Sequence, residues 1–181
     1  VAAHLHPDVV GDGFGAQVHL NAEGAMLAVQ RRLGGPAGVL GGGTVVMYQK
    51  QGGTWTRVAN IPYTREGETC TNSALSGDGL VLVKSCILRD FSGQPTPNDQ
   101  HELRIYSGAN WSTETTVQLD APPTYVPFGA VATDYHGRSI VVQSWTGEQP
   151  KAAWLRLTNG IYEAQAEFLP GQWQVNEYPF G

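Results

Sequence analysis

Leu20-Asn21-Ala22-Glu23-Gly24 is a turn sequence between two apolar runs, and its pattern occurs three times in this chain of 181 residues. The second copy is Leu75-Ser76-Gly77-Asp78-Gly79, and the third is Thr133-Asp134-Tyr135-His136-Gly137. The closing glycines lie 55 and 58 residues apart, and each unit holds four strand-like runs. A repeat of this length with four short strands predicts one β-propeller blade per unit.

The repeats divide the chain into three predicted blades. We place them at 9–62, 63–120 and 121–170, with a stray outer strand at 1–8 and the start of a next blade, or a tail, at 171–181. Propeller rings usually have about four to eight blades, so three blades predict part of a larger propeller. The sequence therefore indicates an all-β array of three four-stranded blades. A β-trefoil, which also uses three four-stranded units, is the alternative.

The first unit resembles an FG-GAP repeat, the blade of integrin-α-like propellers. The resemblance lies in Gly11-Asp12-Gly13-Phe14-Gly15, Leu20-Asn21-Ala22-Glu23-Gly24, Leu27-Ala28-Val29, Gly43-Thr44-Val45-Val46-Met47-Tyr48 and Gly53-Thr54-Trp55. It is weaker in the other two units, because Cys70-Thr71 replaces the Phe-Gly pair of the second. The resemblance implies a secreted, extracellular propeller that serves adhesion or partner binding without catalysis.

Part of that family binds calcium through a loop of the D-x-D-x-D-G type, which supplies the oxygen ligands that Ca²⁺ needs. This sequence has no such loop. Asp12, Asp78 and Asn98-Asp99 are separate from one another and are typical of turns, where a short polar side chain bonds its own backbone. We expect no metal site and no cofactor.

The charge balance excludes a nucleic-acid partner. The formal net charge is −5, and Arg31-Arg32 is the only adjacent basic pair. Such a chain has no basic cluster that could displace the counterions of a phosphate backbone. It also has no run of 18 apolar residues, so we expect no membrane span.

The two cysteines flank the second turn symmetrically. Cys70 and Cys86 have their midpoint at residue 78, so a hairpin turning there places them opposite each other. Directly paired antiparallel residues have Cα atoms close enough for a disulfide. We predict a Cys70–Cys86 disulfide, with two buried free thiols as the alternative, and hence an oxidising compartment.

Asn110-Trp111-Ser112 is an N-glycosylation triplet on a turn-like stretch. If the source is a eukaryote, the sequence predicts a glycan on Asn110.

The candidate binding residues lie in stretches inserted between the second and third strand of each unit. Insertions at one position of a repeat fall on one face of the molecule, which is the usual binding surface. We place these stretches at 31–43, 88–100 and 146–150. The residues expected to contact a ligand are Arg31 and Arg32 at the first, Phe91, Asn98 and Asp99 at the second, and Trp145 and Glu148 at the third.

No motif of catalysis is present. A nucleophile needs a base within reach, yet nothing links Ser73, Glu66 or Glu68 to a histidine, and the G-x-S-x-G elbow is absent. The pair His4 and His6 offers two metal ligands where structural zinc takes four. We expect that the chain is not an enzyme.

These features favour a non-catalytic extracellular module that binds a protein or a glycan through its insertion loops. A second hypothesis is a structural segment of a larger extracellular assembly, in which further chains complete the propeller. A third, from a different class, is an enzyme acting on polysaccharides, such as a glycoside hydrolase or lyase.

Overall fold

The computed structural model describes residues 5, 13–34, 40–62, 68–88, 100–119, 130–146 and 149–169. These residues form three antiparallel sheets of four strands each. The predicted all-β fold with four-stranded units is thereby confirmed. The strands are β1 (Gln17–Leu20), β2 (Met26–Gly34), β3 (Leu40–Gln51), β4 (Thr54–Ile61), β5 (Glu68–Leu75), β6 (Leu82–Leu88), β7 (Gln100–Ser107), β8 (Thr113–Leu119), β9 (Val131–Thr133), β10 (Ser139–Thr146), β11 (Gln149–Thr158) and β12 (Ile161–Phe168).

Each sheet is a simple meander in which every strand pairs with the next one along the chain. Sheet 1 has the order β1-β2-β3-β4, sheet 2 the order β5-β6-β7-β8 and sheet 3 the order β9-β10-β11-β12. A short 3-10 segment, Ala109–Trp111, joins β7 to β8. Pairing among the described residues stays within each sheet, so they do not form the closed barrel of the trefoil alternative. Within the same ranges, no helix has the length and hydropathy of a membrane span.

The turn predicted at the start of each unit is a tight hairpin connection. Gly24, Gly79 and Gly137 all have a positive φ, at 67°, 77° and 69°. Glycine adopts this backbone conformation without the steric cost that a Cβ would impose. In the first turn, Asn21 Oδ1 accepts hydrogen bonds from the backbone N–H groups of Ala25 and Met26, each at 2.8 Å. The same residue types that defined the repeat therefore form its turns.

Sheet 2 lies between the other two sheets and buries both of its faces. One apolar cluster joins Ala28 and Met47 of sheet 1 to Leu82 of sheet 2. A second cluster joins Val83 of sheet 2 to Ile140 of sheet 3. Successive residues of a strand point to opposite faces. The adjacent residues Leu82 and Val83 at the start of β6 therefore pack into one interface each.

Two of the three expected insertions consist of paired strand residues wherever the structure describes them. β2 continues to Gly34 and β3 begins at Leu40, so most of 31–43 extends the hairpin of sheet 1. In sheet 3, Thr146 pairs directly with Gln149. Thr146, Gln149 and Pro150 of the expected insertion at 146–150 are therefore strand residues, and 147–148 lie outside the described ranges.

The strands of the three sheets fall inside the ranges 9–62, 63–120 and 121–170. Residues 1–8, apart from Leu5, and residues 171–181 lie outside the described part of the chain. The stray strand and the tail stay predictions.

Candidate functional site

The three hairpin turns contact one another at one end of the sheets. We call residues 21–25, 76–81 and 134–138 the turn cluster. The backbone N–H of Ala22 donates to the carbonyl of Gly77 at 2.9 Å, and the N–H of Asp78 donates to the carbonyl of Tyr135 at 2.8 Å. A Cβ on Gly77 would collide with the ring of Tyr135. Turns from successive units thus interlock through their backbones, which fixes this end of the molecule.

Side chains join the same turns at the surface. His136 Nδ1 lies 3.2 Å from Asp78 Oδ2, and the Tyr135 hydroxyl donates to Glu23 Oε1 at 3.2 Å. Burial alone would raise the pKa of Asp78. Hydrogen bonds from the Ser76 hydroxyl and a backbone N–H, together with His136, outweigh it and hold that pKa below its ordinary value. These contacts link the turns of all three sheets.

The opposite end carries the second-to-third strand connections of all three sheets. In an antiparallel meander these connections leave the sheet at the end away from the first hairpin turn. Because the first turns of the three units meet in one cluster, the connections after Gly34, Leu88 and Thr146 all leave at the other end. We call this the loop end. The expectation that the inserted positions share one side of the molecule agrees with this topology.

A cluster of buried charges lies on the face of sheet 2 that also carries Leu82 and Tyr106. Arg104 donates to Glu102 Oε1 through Nε at 2.8 Å and through Nη2 at 2.6 Å. Its Nη1 contacts Glu114 Oε1 at 2.8 Å, and its Nη2 lies 3.4 Å from Glu68 Oε2. The side chains of Arg104, Glu102 and Glu68 are almost fully excluded from solvent. Buried charges are tolerated when they are paired and hydrogen-bonded in this way.

Lys84 belongs to the same face of sheet 2, since it pairs with Arg104 across β6 and β7. It is 1% exposed, its Nζ donates to the carbonyl of Pro62 at 3.3 Å, and it lies 5.6 Å from the centre of the Tyr106 ring. Burial lowers the pKa of Lys84 to about 8, although the carboxylate of Glu68 opposes this shift. The ammonium group therefore bridges sheet 2 and the end of sheet 1 at an electrostatic cost.

The predicted disulfide is present at the same end. Cys70 pairs with Cys86 across β5 and β6, and their sulfurs are 2.08 Å apart. A bulge after Cys70 shifts the ladder by one residue between this pair and the turn. The disulfide prediction is confirmed, and the two cysteines lie directly opposite each other because of this bulge.

Both cysteines of the disulfide also belong to a group of three side chains that could hold a metal ion. Within the described ranges, Glu68, Cys70 and Cys86 are the acidic, histidine or cysteine side chains whose ligand atoms come within 4.8 Å of one another as a set of three. Metal binding by cysteine requires a thiolate. The two sulfurs are bonded to each other, so this group does not offer a metal the ligands it would need.

One serine–histidine pair was not anticipated from the sequence. Ser85 Oγ lies 3.0 Å from His101 Nε2, and both residues are buried between sheets 2 and 3. A nucleophile and base at this distance need access to a substrate. Ser85 is 0% exposed and His101 is 1% exposed, so a substrate has no access to the pair, and the two residues contribute to packing. The register of β6 against β7 brings these two residues together. Ser85 pairs with Leu103, and His101, two residues before Leu103, pairs with Ile87.

The structure describes some of the predicted contact residues and not others. Arg31 lies in β2 and is buried at 7% exposure, and its expected contact with a ligand stays a prediction. Arg32 and Trp145 are strand residues of β2 and β10 whose side chains are outside the described part. The remaining contact residues lie outside the described ranges: Phe91, Asn98, Asp99 and Glu148.

Asn110 lies in the short 3-10 segment and is exposed, with a left-handed φ of 57°. Its neighbour Trp111 is buried and packs into the cluster between sheets 1 and 2. An exposed asparagine is what glycosylation of this triplet requires, and the modification stays a prediction.

No family model matches the chain, and neither does any curated protein. Among solved structures, it is similar to the crystal structure of TolB from Acinetobacter baumannii, with 11% sequence identity and a TM-score of 0.44. The match covers 81% of this chain and 31% of the TolB chain. A likeness at this identity and TM-score carries no argument about fold or function. The resemblance to FG-GAP repeats stays a prediction.

Proposed function

We propose that this chain is a propeller segment that works as a non-catalytic, extracellular binding or adhesion module. In this proposal, the loop end contacts a protein or a glycan, and the turn cluster holds the sheets in place. The FG-GAP resemblance supplies the adhesion role. The disulfide supports an extracellular location, because disulfides persist in oxidising compartments.

The observation that carries the proposal is that a disulfide and a set of ion pairs join the strands of sheet 2 at the loop end. The disulfide joins β5 to β6, and the contacts of Arg104 with Glu68, Glu102 and Glu114 join β5, β7 and β8. All four strands of sheet 2 are therefore tied together at the end of the sheet where β6 ends at Leu88 and β7 begins at Gln100. Binding segments work best when a rigid scaffold holds both of their ends.

The ion pairs of Arg104 with its three carboxylates support a scaffold role rather than catalysis. Arg104 engages three carboxylates, and Gln118 Nε2 donates to the second oxygen of Glu102 at 3.0 Å. Groups that satisfy one another in a buried network have little capacity left for a substrate. The ligand contacts are then expected from the connection itself.

The test is a glycan array together with an array of purified extracellular-matrix proteins. Phe91→Ala, the double variant of Asn98 and Asp99 to Ala, and Glu148→Ala should each weaken binding of the identified ligand about tenfold or more, the loss typical of a hot-spot contact. Tyr135→Ala and Glu23→Ala, at the turn cluster, are the matched controls and should bind normally. Unchanged binding by all loop-end variants would exclude this end as the contact surface.

A further inference from the structure

The disulfide has a carboxylate as its direct neighbour. Glu68 lies two residues before Cys70 in β5, so both side chains are on the same face of sheet 2. Glu68 Oε1 is 2.9 Å from Cys70 Sγ. The sulfur of Cys70 carries no hydrogen while it is bonded to Cys86, so it does not donate to this oxygen. A thiol at the same position would donate its S–H to the carboxylate. The reduced protein therefore satisfies this contact better than the oxidised protein does.

Strand pairing holds these three side chains together independently of the bond between the sulfurs. Cys70 and Cys86 are direct partners across β5 and β6, with Cα atoms 4.0 Å apart. Glu68 pairs with Leu88 in the same ladder, and Cys86 pairs with Glu102 of β7 on its other side. Reduction of the disulfide leaves the backbone hydrogen bonds of these ladders in place. The two thiols and the carboxylate then remain neighbours on one face of sheet 2.

The three groups have the spacing of metal ligands. The two sulfurs and a carboxylate oxygen of Glu68 lie within 4.8 Å of one another. A tetrahedral Zn²⁺ ion, with bonds of about 2.3 Å to sulfur and about 2.1 Å to oxygen, holds its ligand atoms about 3.6–3.8 Å apart. Three protein ligands and one water molecule form a coordination shell that Zn²⁺ uses in other proteins. Thiolate ligands favour ions of this type over Mg²⁺ and Ca²⁺, which prefer oxygen.

The burial of the group selects a divalent ion. Glu68, Cys70 and Cys86 are 3%, 2% and 0% exposed, so a change in net charge at this place would carry a large desolvation cost. A dithiol reductant transfers two electrons and two protons to the disulfide, which becomes two thiols while the dithiol becomes a disulfide. One divalent cation that binds both sulfurs then releases the two thiol protons, and the net charge of the buried cluster does not change. A monovalent or trivalent ion held by both thiolates would change that charge by one unit.

We propose that reduction of the Cys70–Cys86 disulfide turns these two residues and Glu68 into a binding site for a thiophilic divalent cation of the Zn²⁺ type. The bound ion replaces the covalent bond as the tie between β5 and β6, because its two thiolate ligands come from these two strands. Sheet 2 then stays joined at the loop end in both oxidising and reducing surroundings. The inference goes beyond the proposed function and is independent of any ligand at the loop end.

Titration of the reduced chain with Cd²⁺ tests the proposal, because cadmium thiolates absorb in the ultraviolet. The chain is treated with an excess of a dithiol, separated from it under argon and titrated, and near-ultraviolet circular dichroism shows whether it is folded. We expect one Cd²⁺ ion per reduced chain and no cadmium-thiolate absorption from the oxidised chain. Zn²⁺ should raise the unfolding midpoint of the reduced chain and leave that of the oxidised chain unchanged, because an ion that binds only the folded, reduced form stabilises that form.

A change at Glu68 distinguishes this site from two thiols that bind cadmium without it. Glu68→Gln should weaken cadmium binding by the reduced chain about tenfold or more. Glu114→Gln is the matched control, because Glu114 also contacts Arg104 but is not one of the three ligands, and it should bind as the wild type does. Equal affinities of the wild type and Glu68→Gln would overturn the proposal, as would an equal loss in the control. A reduced wild-type chain that is unfolded or takes up no cadmium would overturn it too. If Glu68→Gln does not fold, the Zn²⁺ measurement on the wild type decides, and an unchanged midpoint of the reduced chain contradicts the site.

Discussion

At the scale of single residues, sheet 2 holds a cluster of buried charges. Lys84 and Arg104 are each 1% exposed, yet they differ in how their charge is compensated. Arg104 contacts three carboxylates within 3.4 Å. Lys84 has a backbone carbonyl and the face of Tyr106. This difference explains why the pKa of Lys84 falls when it is buried.

Lys84 therefore predicts a specific dependence of stability on pH. Its pKa is about 8 in the folded protein and 10.5 in an unfolded chain. Between these values the unfolded chain binds more protons, so raising the pH stabilises the folded state. From pH 7 to pH 10, the unfolding free energy of the wild type should rise by about 2 kcal/mol relative to Lys84→Met, since one pKa unit corresponds to about 1.4 kcal/mol.

Urea titrations at a series of pH values measure this difference. Lys50→Met, which removes an exposed lysine of β3, is the control and should follow the wild-type profile. Parallel profiles of the wild type and Lys84→Met between pH 7 and pH 10 would show that the ammonium of Lys84 is not desolvated.

At the scale of structural elements, the turn cluster is where one unit constrains the next. Gly77 lies against Tyr135 of the following unit, so a methyl group there meets the ring and the backbone of Tyr135. Overpacking of this kind costs about 1–3 kcal/mol. Gly77→Ala should lower the unfolding free energy by this amount in a urea titration.

A double-mutant cycle separates this clash from a general effect of alanine. In the Tyr135→Ala background, Gly77→Ala should cost clearly less, because most of the contacting atoms belong to the tyrosine ring. An equal cost in both backgrounds would mean that the two turns do not touch through these residues.

The elements show which features a sequence can reveal. The turns were predictable because hairpin register depends on residues near one another in the chain. The Cys70–Cys86 pairing was predicted from the turn between them, but it also depends on the bulge after Cys70, which the sequence did not reveal. The continuation of β2 to Gly34 was not, since a stretch rich in glycine and proline carries no strand pattern. The burial of Arg31 and the Glu68–Arg104 contact were also hidden, because both depend on strands from separate parts of the chain.

At the scale of the whole molecule, the repeat becomes an ordered stack in which sheet 2 separates sheets 1 and 3. The four-strand content of each unit could be predicted from its apolar runs. The direction of packing could not, because it depends on contacts between strands from separate parts of the chain.

The most direct test of the stack is nuclear Overhauser spectroscopy of the folded chain at its turn glycines. A Cβ placed on Gly79 would lie 2.7 Å from Met26, and one on Gly137 would meet Val81, although each pair comes from different sheets. We predict cross-peaks from the α protons of Gly79 to the Met26 side chain and from those of Gly137 to the Val81 methyl groups. If both are absent while cross-peaks within each sheet are present, the three units do not stack in this order.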